Sequence, residues 1–132
     1  MINREKFIER YSDFDKDIVL DILDMFIANY EDWISKLSTD LNEQNPGNLK
    51  KDAHAFKGIM ANIEADCMAF EQIEEMEEIS NNLLNARDND KELPEELVKN
   101  KFDEMANYFA KFKTSSAQLL SEAKDLRSAY LA

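Results

Sequence analysis

From about Phe14 to Asn42 the apolar residues Val19, Ile22, Leu23, Phe26, Tyr30, Trp33, Ile34, Leu37 and Leu41 recur in steps of three and four. That spacing predicts one long helix with a single buried stripe. Ile18, Leu20, Met25 and Ile27 widen the apolar arc in its first half, so a further element is expected to cover that side. The natural candidate is a short helix before it, about Asn3 to Tyr11, with Phe7 and Ile8 as its apolar contacts. Ser12 and Asp13 break the first helix and offer a cap for the second.

Asn45-Pro46 reads as an N-cap followed by proline at the first helical position. The third helix then runs to Ile63 or Ala65, with Leu49, Ala53, Phe56, Met60 and Ile63 as its stripe. A fourth extends from about Asp66 to Ala86, turns Phe70, Ile73, Met76, Leu83 and Leu84 inward, and stops at Asp88-Asn89-Asp90. Leu93-Pro94 opens the fifth and longest, with Leu97, Phe102, Met105, Phe109, Phe112, Leu119, Leu120 and Leu126 as its apolar positions. Four long amphipathic helices joined by short connections predict an all-α, antiparallel up-down four-helix bundle. Residues 1–132 form one domain, of which 113–132 are a helical extension that projects or folds back. Heptad steps are not sustained long enough for an extended coiled coil.

Composition sharpens this picture. There are 28 acidic and 16 basic residues, a net charge of −12. Such a surface repels nucleic acid and anionic membrane. Cys67 is the only cysteine, so no internal disulfide can form, and a reducing cytoplasm is the expected compartment. No apolar signal core stands at the N-terminus, and no stretch approaches the length of a membrane span. The opening Met1 points to a free-standing chain.

The only histidine, His54, falls in the third helix. At about 100° per residue it lies off the core stripe, nearly opposite Ile63. Gly47, Lys50, Lys57, Gly58 and Ala61 share its face. Gly58 and Ala61, one and two turns on, leave the imidazole above a low surface. Glycine inside a helix costs about 1 kcal/mol relative to alanine, which suggests that something approaches the backbone there. Lys57 and Lys50 flank the ring and make a locally positive spot, suited to a phosphoryl group on an imidazole nitrogen. Asp52 falls near the core side of the same helix, an unusual place for a carboxylate.

Other chemistries find no residues. One histidine and one cysteine exclude the usual zinc sites, and a di-iron bundle needs Glu-x-x-His on two helices. There is no nucleophile elbow and no Gly-rich phosphate loop. The acidic run from Glu71 to Glu78 reads as a solvated helix face with Ile73 and Met76 turned inward.

Ala53-His54-Ala55-Phe56-Lys57-Gly58 resembles the Ala-His-x-Leu-Lys-Gly signature of histidine phosphotransfer (HPt) domains, which serve multistep two-component phosphorelays. The similarity extends upstream through Asn45-Pro46, Phe7-Ile8 and the helix from Phe14, downstream through Ala61-Asn62-Ile63 and Ala65, and covers about residues 1–112. The resemblance implies a four-helix bundle with a short N-terminal lid helix, here followed by a long C-terminal helix. It implies that His54 accepts a phosphoryl group from a receiver-domain phospho-aspartate and passes it to another receiver. Lys57, with Lys50, would support the phosphoryl group, while Gly58 and Ala61 would give the partner room. The implied partners are response-regulator receiver domains and a hybrid histidine kinase. The chain itself, a monomer, would bring no cofactor, and Mg²⁺ would sit on the receiver.

The sequence departs from that family at three places. Ile59 and Met60 follow Gly58 where small polar residues are common, Glu64 stands where the family has glycine, and the Phe70, Ile73, Met76 spacing is shifted by about one residue. Two other functions compete. One reads the chain as a non-catalytic helical module that docks a receiver or other partner, with His54 incidental. The other reads its long last helix as a dimerisation element.

Overall fold

In the computed structural model the chain is all-helical, with five helices and no strand among the described residues, 2–63, 68–89 and 92–131. They are α1 (Arg4–Arg10), α2 (Lys16–Asn42), α3 (Pro46–Asn62), α4 (Met68–Asp88) and α5 (Glu95–Leu131). The order and kind of the elements follow the hydrophobic periodicity. α2 starts later than Ser12 and Asp13 suggest, because Asp15 takes the extended N-cap conformation. The expected start of α4 at Asp66 lies outside the described residues.

Two caps are made by asparagine. The Asn3 side chain accepts from the Lys6 N–H, and Asn45 Oδ1 accepts from the Asn48 N–H, with Pro46 in the first turn as anticipated. Between α2 and α3 the chain reverses sharply. Asn45 N–H donates to Asp40 C=O at 3.0 Å and Gln44 N–H to Leu41 C=O at 3.1 Å. This is the Schellman pattern, which places the residue after the cap in the left-handed region. Here that residue is Gln44, at φ 49°, where glycine is usual.

α2 packs on α3 and α5, and α4 packs on α3 and α5. Side chains meet across each interface: Phe26 and Trp33 touch Phe56, Lys57 meets Glu77, and Ser80 meets Met105, while between α2 and α5 Tyr30 meets Ser116 and Asp24 meets Arg127. Phe56 is fully buried at the middle, touching Phe26, Tyr30, Trp33 and Phe112 through tilted or edge-on ring contacts with centroids 5.3–6.2 Å apart. A buried aromatic of this kind stabilises through area and ring geometry together.

α1 lies across the end of α3. Phe7 is fully buried, the Tyr11 hydroxyl donates to Asn62 C=O at 2.7 Å, and Arg10 donates to Ala61 C=O at 3.2 Å. These donors satisfy carbonyls that the end of α3 leaves without helical partners.

Several expected core positions are instead outside. Ile8, Ile18, Met25 and Leu97 are exposed, so α1 does not cover the widened arc of α2. α1 is only seven residues long, and it and its C-cap spend their large apolar side chains, Phe7 and Tyr11, inward. Residues 113–131 do not project. They continue α5, burying Ser116, Leu119, Ala123 and Leu126, and hold α1 and α2 through the Phe7–Tyr130 ring contact and the Arg127–Asp24 pair at 2.7 Å.

Candidate functional site

His54 stands in the middle of α3, where Ala53, Phe56 and Met60 take the buried stripe and leave the imidazole on the outside. Its side chain is 71% exposed. Gly58, one turn on, is exposed, and a Cβ there would meet nothing within 4 Å. No packing among the described residues therefore requires a glycine at this place. Ala61 is exposed as well, so the low surface beyond the ring is present as the wheel predicts.

The face is not simply positive. Glu77 of α4 reaches across to α3, with Oε1 2.7 Å from His54 Nδ1 and Oε2 2.7 Å from Lys57 Nζ. Burial pushes the Glu77 carboxyl up, but its close partners Lys57 and His54 outweigh that and hold it below its ordinary value. An ionised carboxylate only accepts hydrogen bonds, so Nδ1 must be the donor. In the neutral ring the lone pair then belongs to Nε2, on the side away from Glu77. One contact sets both the tautomer and the ring orientation.

This corrects two expectations. The acidic run on α4 is not uniformly solvated, since Glu77 is only 17% exposed and serves α3. The positive spot expected from Lys57 is compensated by that carboxylate. Lys50 is half-buried and lines, with Lys57, Glu74, Glu77, Glu78 and Asn81, a shallow groove between α3 and α4. Both lysines thus sit on the α4 side of His54 rather than on its open side.

No family model, no curated protein and no solved structure matches the chain. What the site can do therefore rests on its own chemistry. An exposed imidazole with Nδ1 fixed by a carboxylate presents a nucleophilic nitrogen outward. The Lys57 ammonium group shares that carboxylate from the α4 side. Among the described residues no group of three or more His, Cys, Asp or Glu side chains is placed to hold a metal ion.

Sequence reasoning missed Glu77. Its signal was present, because Glu77 lies one turn after Ile73 and beside Leu84 on the α4 wheel, at the border of the buried stripe rather than opposite it. Treating the acidic run as one unit hid that difference.

Proposed function

We propose that this protein is a histidine phosphotransfer domain, with His54 as the phosphoryl acceptor. The observation that carries the reading is the His54–Glu77 contact beside Lys57, with the open Gly58 surface next to it. The four long helices are read as an antiparallel up-down four-helix bundle, with α1 as its lid.

In the proposed step, Nε2 attacks the phosphorus of a receiver's phospho-aspartate. The P–N bond forms as the P–O bond to the aspartyl carboxylate breaks, and that carboxylate leaves with the electron pair. The imidazole gains positive charge, which Glu77 stabilises through the Nδ1 proton it already accepts. In this reading the Lys57 side chain swings from its pairing with Glu77 to meet the arriving phosphoryl oxygens. The reverse sequence passes the group to a second receiver. Positioning and charge neutralisation dominate phosphoryl transfer, so a carrier needs little machinery of its own. The reading places Mg²⁺ on the receiver, and names receiver domains and a hybrid histidine kinase as partners of a monomeric, cytoplasmic carrier. Among the described residues no helix is long and apolar enough to cross a membrane.

Exposed apolar residues support docking on the open side of α3. Ile18 and Met25 lie on the flank of α2 that Trp33 and Asp40 turn toward α3, and Ile8 of α1 is exposed near the end of α3. In this reading they join Gly58 and Ala61 in the face that meets the partner.

The test is incubation with a panel of phosphorylated receiver domains. Acid-labile, base-stable phosphate should reach the wild-type chain and be absent from His54→Gln. Label that never arrives, or that marks His54→Gln equally, sinks the reading. Binding without label, unaffected by His54→Gln, would instead assign a non-catalytic docking module.

A further inference from the structure

We propose that Asp40 and Asp52 hold a single proton between them and clasp the end of α2 to α3 only while that proton is present. Asp40 is in the last turns of α2 and only 5% exposed. Its Oδ2 is enclosed and has no hydrogen-bond partner among the described residues. The neighbouring carboxyl that acts on it is Asp52, half-buried on α3. Two carboxylates cannot donate to one another, so a hydrogen bond between them requires a proton on one. This accounts for an aspartate on the core side of α3, which the phosphotransfer reading leaves unexplained.

The surroundings favour the protonated pair. Burial is the largest influence on the Asp40 carboxyl, followed by the hydrogen bond and the charge of Asp52, then the charge of Glu43. Together they push it up to about 7, against a smaller opposing effect of Lys36. The charged groups acting on Asp40 are thus Lys36 from α2, Glu43 at the C-cap of α2 and Asp52 from α3. α5, the other helix packed on α2, contributes none to this set.

The position gives the proton leverage. The backbone C=O of Asp40 accepts the Asn45 N–H that closes the α2–α3 reversal, and the Asn45 side chain caps α3. Losing the proton leaves two facing negative charges and a buried oxygen with no donor. The least costly relief is separation of the α2 end from the first turns of α3. Nothing in the histidine site is needed for this, so the clasp stands or falls independently of phosphotransfer.

The test is native-state hydrogen exchange of the Leu49–Ala53 amides at about pH 6 and about pH 8, corrected for intrinsic rates. Protection should fall at least about tenfold at the higher pH in the wild type and stay constant in Asp40→Asn. A second measurement is direct: carboxyl ¹³C shifts of the wild-type chain should show Asp40 titrating near neutrality, and in Asp52→Asn that midpoint should drop. Asp40 titrating in the ordinary carboxylate range overturns the proposal. So does equal pH-dependence in Asp40→Asn. Recovery of protection by added Mg²⁺ or Ca²⁺ at the higher pH would also overturn it, since a cation rather than a proton would then be bridging the pair.

Discussion

His54 Nδ1 lies 2.7 Å from Glu77 Oε1, joining the exposed ring on α3 to a mostly shielded carboxylate on α4. The pair decides which nitrogen faces solvent. If that orientation serves transfer, Glu77→Ala should slow phosphorylation of His54 by a receiver about tenfold, equivalent to about 1.4 kcal/mol. Helix content by circular dichroism should be unchanged. Glu77→Gln, whose amide oxygen still accepts from Nδ1–H, should retain more activity than Glu77→Ala. Equal rates in all three proteins would show that the ring needs no orienting partner.

The pH dependence of stability should have two limbs of opposite sign. Glu77 is held below its ordinary value when folded, so it adds stability above its unfolded value of 4.5 that is lost as pH falls through the folded one. Asp40 moves the other way, from 3.8 to about 7. Between those values the folded state binds more protons than the unfolded, so stability declines as pH rises through that window. Urea unfolding across the range should show both limbs. Glu77→Gln should flatten the acidic one and Asp40→Asn the neutral one, each leaving the other in place.

Local pattern made much of this molecule legible, and the limits have a common cause. The five helices, the Asn45-Pro46 cap and the outward His54 all depend on residues within one helix, where a period of 3.6 speaks directly. Glu77 and Asp40 could not be assigned the same way. Each acquires its role from a neighbouring helix, and the register between helices is set by packing around Phe56, not by spacing along the chain. Asp52 was visible as an anomaly, but its partner was not. The tail of α5 was ambiguous for the same reason, since its stripe does not say which surface will cover it.

Gln44 should be a weak point that can be repaired. It occupies the left-handed position of the α2–α3 reversal at φ 49°, which costs a residue with a Cβ about 1 kcal/mol or more. Gln44→Gly should raise stability by about 0.5–1 kcal/mol, read as a higher urea midpoint with an unchanged slope. A lower midpoint would mean that the added freedom of the unfolded chain outweighs the relieved strain.

The tail of α5 should be required for the fold rather than for self-association. Leu126 is 2% exposed and lies one residue from Arg127, which pairs with Asp24 of α2. Leu126→Ala should cost about 2–4 kcal/mol by unfolding measurements, with sedimentation unchanged. A normal melt together with a shift in sedimentation would restore the dimerisation reading.

Gly58 separates the needs of the fold from those of the site. A Cβ there meets nothing within 4 Å among the described residues, and a helix interior prefers alanine to glycine by about 1 kcal/mol. Gly58→Ala should therefore stabilise the chain by roughly that amount, while a bulkier Gly58→Leu should fold normally but resist phosphorylation by a receiver. The comparison is informative because stability and transfer should move in opposite directions. If Gly58→Leu accepts phosphate at the wild-type rate, the partner does not approach α3 over Gly58, and the docking face must lie elsewhere around His54.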